Sequence, residues 1–333
     1  MLKIRRFLNT DVPSIIDLWR KQAPFSRLSS TITKSDLETL VLGKPYFDPE
    51  AFRLAVDDGL VVGFAHAGFG PNESGSDLDY RNGLLLQARS LPGDDGGSVV
   101  GALIESCLDY LKTHGAVRCY AASRFPWVPY YLGAYGGSRI PGVPIEDESF
   151  LHALADRGFV EHDRIEIFQR TLAGFRIPVD RSLRSLRREY QVKAIVDPKL
   201  DSWWDYCTYG TAEMFRFRLF DRADQSEVGS VMFWEIQPLS SEWRIRSVGL
   251  CDLEIREDLR GRGLGRFLVG QALTQLQPQM GRCEVQIRRS DEAMKRLVAR
   301  LGFERDSEGI EMVRTLVASP TADASRPEVE PPR

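Results

Sequence analysis

The residues best placed to do chemistry in this sequence are Arg260-Gly261-Arg262-Gly263-Leu264-Gly265-Arg266, where glycines alternate with basic and apolar residues. Ahead of them, Ile245 to Ile255 has the composition of a long strand, and behind them Leu264 to Leu276 has the spacing of a helix. The first turn of a helix leaves backbone N–H groups without intrahelical partners and carries partial positive charge, and glycine lets a ligand approach closely. In that setting the loop is a seat for a pyrophosphate, with Arg260, Arg262 and Arg266 adding formal positive charge. A solvated turn would use the same charges, so the loop alone leaves both readings open. A nucleotide-phosphate loop fits less well, because the glycines lack a GK[ST] ending and a parallel βαβ unit.

Other chemistry-bearing residues point to no second centre. Cys107, Cys119, Cys207, Cys251 and Cys283 are odd in number and not closely paired, which fits neither a disulfide framework nor a zinc ribbon and favours a reducing compartment. Cys107 and Cys251 sit among apolar residues, where a buried, inert thiol is the ordinary outcome. His66, His114, His152 and His162 lack metal-ligand spacing, and no metal is expected.

The elements that must position the loop come in a repeated succession. Leu2 to Arg6 reads as a strand and Thr10 to Gln22 as a helix. Arg53 to Val56 and Leu60 to Phe69 form a hairpin across Asp57, Asp58 and Gly59. Leu84 to Ala88 is a strand, Val99 to Leu111 a helix, Val117 to Ala121 a strand, Phe150 to Asp156 a short helix and Ile165 to Thr171 a strand. After Ile177 and Pro178 much of that order returns: a hairpin of Met214 to Leu219 with Val228 to Ile236, the strand and helix around the loop, a strand at Glu284 to Ile287, a helix at Asp291 to Leu301 and a strand at Ile310 to Leu316. This predicts an α/β chain with a mixed sheet, built as two tandem units at residues 1–175 and 176–317. The last stretch, 318–333, is rich in proline and expected to be a disordered tail.

Composition agrees with that class. The chain has 333 residues, 43% apolar and 27% charged, enough for two cores, and its net charge of -3 supplies no general attraction to nucleic acid. Its start, MLKIRRFLNTDVPSIIDLW, interrupts its apolar character with Asn9, Asp11 and Asp17, so neither a signal peptide nor a membrane helix is expected. A cytoplasmic protein with no membrane partner is the expectation.

Arg260-x-x-Gly263-x-Gly265 resembles the acyl-CoA loop, Gln/Arg-x-x-Gly-x-Gly/Ala, of the GNAT superfamily of acyltransferases. Downstream, Asp291-x-x-Met294-x-x-Leu297-Val298-x-x-Leu301-Gly302-Phe303 resembles the family's second motif, usually Asn-x-x-Ala-x-x-Leu-Tyr ending in Gly-Phe. The likeness is strong over Met214 to Leu316 and weak over Met1 to Leu172. It implies two tandem GNAT-like domains, each a mostly antiparallel sheet flanked by helices. It also implies an N-acyltransferase, acetyl-CoA or another acyl-CoA as co-substrate, and a small-molecule or peptide amine as acceptor.

Carried over residue by residue, the resemblance assigns cofactor binding to Leu253, Ile255, Arg260, Gly261, Arg262, Gly263, Leu264, Gly265 and Arg266. In the family an amine attacks the thioester directly, which requires a base for the ammonium and often an acid for the leaving thiolate. Strand alternation puts Asp252 and Glu254 on one face and Leu253 and Ile255 on the other, making Glu254 the first candidate base and Asp252 the second. Val298 stands where the family has its acidic tyrosine, so Tyr206 or Tyr209 from the preceding loop, or a water, would have to serve. Without such an acid, the alternative is a non-catalytic acyl-CoA sensor or interaction protein.

The first unit reads as a changed copy. Its equivalent loop, Pro92-Gly93-Asp94-Asp95-Gly96-Gly97-Ser98, puts Asp94 where Arg260 stands, and carboxylates there would repel a pyrophosphate. The stretch Arg124 to Pro144 holds Trp127, Tyr130, Tyr131 and Tyr135 with Gly136 and Gly137. It either lines an acceptor pocket or packs as a bridge between the units, packing being the commoner fate of such a loop.

Overall fold

The computed structural model describes residues 1–21, 29–30, 32–93, 97–134, 138–178 and 181–316, with backbone alone at 181, 182, 238, 239 and 242. Asp94–Gly96, Tyr135–Gly137 and the expected tail from 318 therefore lie outside the described residues.

The first half opens with β1 (Lys3–Arg6), α1 (Val12–Arg20) and α2 (Lys34–Leu37), the last running on as a π turn over Glu38–Leu42. The hairpin of β2 (Phe52–Asp57) and β3 (Leu60–Pro71) turns through Asp58 at φ 46° and Gly59 at φ 83°, the paired positive values of a type I′ turn. β4 (Leu78–Ser90), α3 (Ser98–Thr113), β5 (Arg118–Ala121), β6 (Val143–Pro144), α4 (Glu148–Ala155) and β7 (Val160–Thr171) complete it.

The second half runs α5 (Arg181–Glu189), β8 (Tyr190–Val196), α6 (Trp203–Tyr209), β9 (Met214–Asp221), β10 (Glu227–Glu235), α7 (Gln237–Trp243), β11 (Ser247–Ile255), α8 (Leu264–Leu276), β12 (Arg282–Arg288), α9 (Glu292–Arg300) and β13 (Glu304–Thr315). Four of these, α5, β8, α6 and α7, are additional to the sequence expectation, and β8 supplies the missing counterpart of the first strand. Tyr206 and Tyr209 thus sit on a helix, α6, and not on a loop; Ser202 caps it by accepting from the Asp205 N–H.

All thirteen strands join one mixed sheet, in the order β1-β2-β3-β4-β5-β13-β7-β12-β11-β10-β9-β8 with β6 beside β13. Pairing is antiparallel except between β4 and β5 and between β11 and β12. From either edge the two halves present the same order, and at the centre they exchange strands. β13 from the second half lies against β5, while β7 from the first lies against β12.

Three apolar clusters cover the sheet. One packs α3 and α4 on the first half, and one packs α5, α8 and α9 on the second. The third is shared, joining Phe52, Phe64, Tyr130 and Tyr131 to Met232, Trp234, Tyr209 and Cys251. Tyr130 and Tyr131 are fully buried there, so the aromatic stretch packs as a bridge between the halves. Ser138 ties that bridge down, giving its hydroxyl proton to Gln286 at 2.7 Å and accepting from the Trp234 indole at 3.1 Å.

Candidate functional site

β11 pairs with β12 only over Ser247–Gly249, after which the two strands diverge and β12 continues along β7. Between Cys251 and Glu254 the register with β10 slips, and Asp252 takes φ 49°, a β-bulge. The bulge changes the expected alternation. Leu250, Leu253 and Ile255 pack on the core beneath α8, spaced three and then two residues apart, while Asp252 and Glu254 are exposed on the other face. The sequence expectation for these two pairs therefore holds across a bulge it did not foresee.

Asp252 and Glu254 line a cleft of about 440 Å³ together with Tyr209, Ser230 and residues of α6, β9 and β10. Their electrostatics differ. Asp252 is ion-paired with Arg139, which reaches over from the bridge loop of the first half. The Glu254 carboxylate has no hydrogen bond or ion pair among the described residues. It also borders a second hollow, lined by Ile255, Arg256 and Arg260, which leads toward the glycine loop.

At that loop Gly263 is the N-cap of α8 with φ 83°, and Gly261 has φ 78°. Both conformations are costly for any residue with a Cβ. The N–H groups from Gly261 to Gly265 make no backbone hydrogen bond among the described residues, the first return bond being Phe267 N–H to Gly263 C=O at 3.0 Å. A Cβ on Gly265 would stand 3.0 Å from Leu297 of α9 and 3.7 Å from Leu253, so glycine keeps open the narrow space between α8, α9 and β11. The exposed donors at a helix start fit a pyrophosphate. Arg260 and Arg262 are exposed at the same end, and Arg260 donates to the Ile255 carbonyl at 3.1 Å.

Val298 is fully buried in the core beneath the sheet and offers no hydroxyl. Tyr206 is half exposed at 51%. Tyr209 has its ring buried at 8% exposure, and its hydroxyl lines the cleft with no hydrogen-bond partner among the described residues. Burial pushes this phenol above its ordinary range, with Cys251 and Asp252 adding to the shift and Arg139 opposing it. The Cys251 thiol is likewise raised by burial, which removes it as a nucleophile. Sequence reasoning missed Arg139, because nothing local signals which loop crosses from the other half, and it missed Asp205 and the bulge because the short helix α6 and the register slip at Asp252 leave no periodic signal.

The first half repeats the architecture with a different filling. Gly97 caps α3 at φ 63°, as Gly263 caps α8, and β4 pairs with β5 over Asn82–Leu85 before diverging. The region after that divergence holds buried Gln87 and buried Arg89, whose guanidinium is ion-paired with the Asp147 carboxylate at the start of α4. Arg89 also donates to Gln87 at 3.0 Å and lies over the Phe150 ring at 5.5 Å.

Among the described residues no helix is long and apolar enough to cross a membrane. Residues 181–303 match the model of the acetyltransferase (GNAT) family. No curated protein matches the sequence. Among solved structures, the chain is similar to a GCN5-related glucosamine N-acetyltransferase region in a fungal multi-domain GH3 β-N-acetylglucosaminidase, with TM-score 0.70 and 16% identity, over 94% of this chain and 38% of that one. The chain thus spans well under half of that protein. A tandem GNAT protein from the clavulanic acid biosynthesis pathway matches with TM-score 0.64 and 14% identity over 96% of this chain and all, 100%, of its own. A GCN5-related N-acetyltransferase from Sphaerobacter thermophilus matches with TM-score 0.64 and 13% identity, over 94% and 95% of the two chains. At these identities the likeness is one of fold.

Proposed function

We propose that this chain, whose residues 181–303 match the GNAT family model and whose fold is that of tandem GNAT proteins, binds an acyl-CoA in its second half, acetyl-CoA by default, and transfers the acyl group to an amine. The observation that carries this reading is the position of Glu254, at the junction of the cleft and the hollow that leads to the glycine loop. In this reading the N–H groups of Gly261 to Gly265 hold the pyrophosphate with Arg260, Arg262 and Arg266 nearby. Backbone groups of Leu253 and Ile255 hold the pantetheine arm and the acyl carbonyl.

Glu254 takes a proton from the acceptor's ammonium, freeing the nitrogen lone pair to form the C–N bond as the C–S bond breaks. Asp252, held by Arg139, is the weaker candidate base and serves to fix the cleft wall. Tyr209 is the candidate acid by position, lining the cleft with its hydroxyl unpaired among the described residues, and it returns a proton to the departing thiolate. The first half does not bind acyl-CoA in the usual way, since Arg89 and Asp147 fill its slot.

The test is release of free thiol from acetyl-CoA by the full chain against a panel of amines. Turnover with stoichiometric N-acetyl product is expected. Glu254→Gln should lower kcat by about 10²-fold or more with acetyl-CoA affinity kept, and Tyr209→Phe by a smaller factor. Val298 favours a second reading, an acyl-CoA sensor without turnover. Binding of acetyl-CoA with no thiol release across the panel would select that reading instead.

A further inference from the structure

The cleft beside Glu254 is lined by five carboxylates and two guanidiniums. Three of the carboxylates are neutralised: Asp201 by Arg216 at 2.7 Å, Glu227 by Arg218 at 3.4 Å, and Asp252 by Arg139. Glu254 and Asp205 are left without a cation among the described residues. Asp205 sits in the first turn of α6 and accepts only a neutral partner, the Ser202 hydroxyl at 2.7 Å. Tyr209, on the same helix as Asp205, lines the same cleft and has no hydrogen-bond partner for its hydroxyl among the described residues. A largely buried side chain that opens an unpaired hydroxyl into the cleft points to a ligand that pairs it. Next to Asp205 on the same helix, Trp203 and Tyr206 are exposed at 55% and 51%, aromatic faces suited to an alkyl chain or a cation.

We propose that the acceptor is a small aliphatic amine carrying a second cationic group, a diamine in its simplest form. This rests on the acyltransferase reading and specifies the acceptor of the same site. Glu254 receives the ammonium that is to be acylated, and Asp205 holds the other cation, so the second charge orients the chain across Tyr209. An acceptor with a carboxylate would meet uncompensated negative charge, and an acceptor with one ammonium would leave Asp205 unpaired.

Initial rates of the full chain with saturating acetyl-CoA test this with three probes: diaminobutane, butylamine and glucosamine. The expected result is a kcat/KM for diaminobutane at least ten-fold above that for butylamine or glucosamine. Asp205→Asn, which keeps the Ser202 contact and whose fold is checked by circular dichroism, should reduce the diaminobutane-to-butylamine ratio at least ten-fold. Equal or better use of butylamine or glucosamine, or a ratio untouched by Asp205→Asn in a folded variant, overturns the inference while leaving the acyltransferase reading standing. No thiol release with any of the three overturns both.

Discussion

At the scale of single residues, burial sets the behaviour of several ionisable groups away from the cleft. Glu311 on β13 is 1% exposed, and burial raises its carboxyl to about 7, against the Phe125 N–H at 2.6 Å and the Arg288 charge, which lower it. A folded-state value above the unfolded 4.5 means the native state holds the extra proton, so stability is lost as pH rises between about 4.5 and 7. Glu311→Gln keeps an acceptor for the Phe125 N–H and removes the charge. It should raise the melting temperature near pH 8 by the equivalent of up to about 3 kcal/mol and change it little near pH 5; equal effects at both pH values would contradict the assignment. His66 acts in the opposite sense. Buried between Phe52 and Tyr130 with Nδ1 3.0 Å from the Tyr131 hydroxyl, it is lowered to about 3, so it costs stability as pH falls below its ordinary 6.5. Neither shift could be read from sequence, since His66 and Glu311 have the neighbours of ordinary strand residues and only the fold reveals their depth.

At the scale of elements, the two halves use one plan for different ends. Around α8 the plan was legible: the helix runs from Leu264 to Leu276 as its spacing predicts, because a glycine cap and an apolar face fix both ends locally. α5 and β8 were not legible. The helix RSLRSLRRE offers only Leu183 and Leu186 as apolar anchors, and the strand Tyr190–Val196 lies at the sheet edge with its last four residues exposed. β13 begins at Glu304, six residues earlier than expected, because its charged start is balanced laterally by Arg305 with Glu166 and Glu308. In the first half, the acidic loop was the visible sign of divergence, and the structure adds a buried ion pair of Arg89 with Asp147, at 3% and 0% exposure, that has no counterpart in the sequence expectation. Asp147→Ala removes the carboxylate that is ion-paired with the buried Arg89 guanidinium and should cost about 3–5 kcal/mol of stability, read from the urea midpoint. A loss below about 1 kcal/mol would contradict a structural role for this ion pair.

At the scale of the whole molecule, a division after residue 175, which we propose as the boundary between the two units, is crossed by the sheet itself. The exchanged strands β7 and β13 pair with each other and with both halves. Local sequence patterns specify strands but not distant partners, so this exchange lay beyond sequence reasoning. It predicts one cooperative unfolding transition for the full chain, and a chain ending at Phe303, without β13, that loses the structure of the first half as well as the second. A truncated chain in which the first half retains native hydrogen-exchange protection would contradict this. The same interlock carries Arg139 from the first half to Asp252 in the second, so the first half shapes the cleft.

Whether each chain holds one acyl-CoA site, in its second half, is decided by calorimetric titration of acetyl-CoA into the wild type, Gly263→Glu and Gly97→Glu, each first shown to be folded. A single site per chain is expected, abolished by Gly263→Glu and retained by Gly97→Glu; no binding to the wild type, or binding that survives Gly263→Glu, would overturn the assignment.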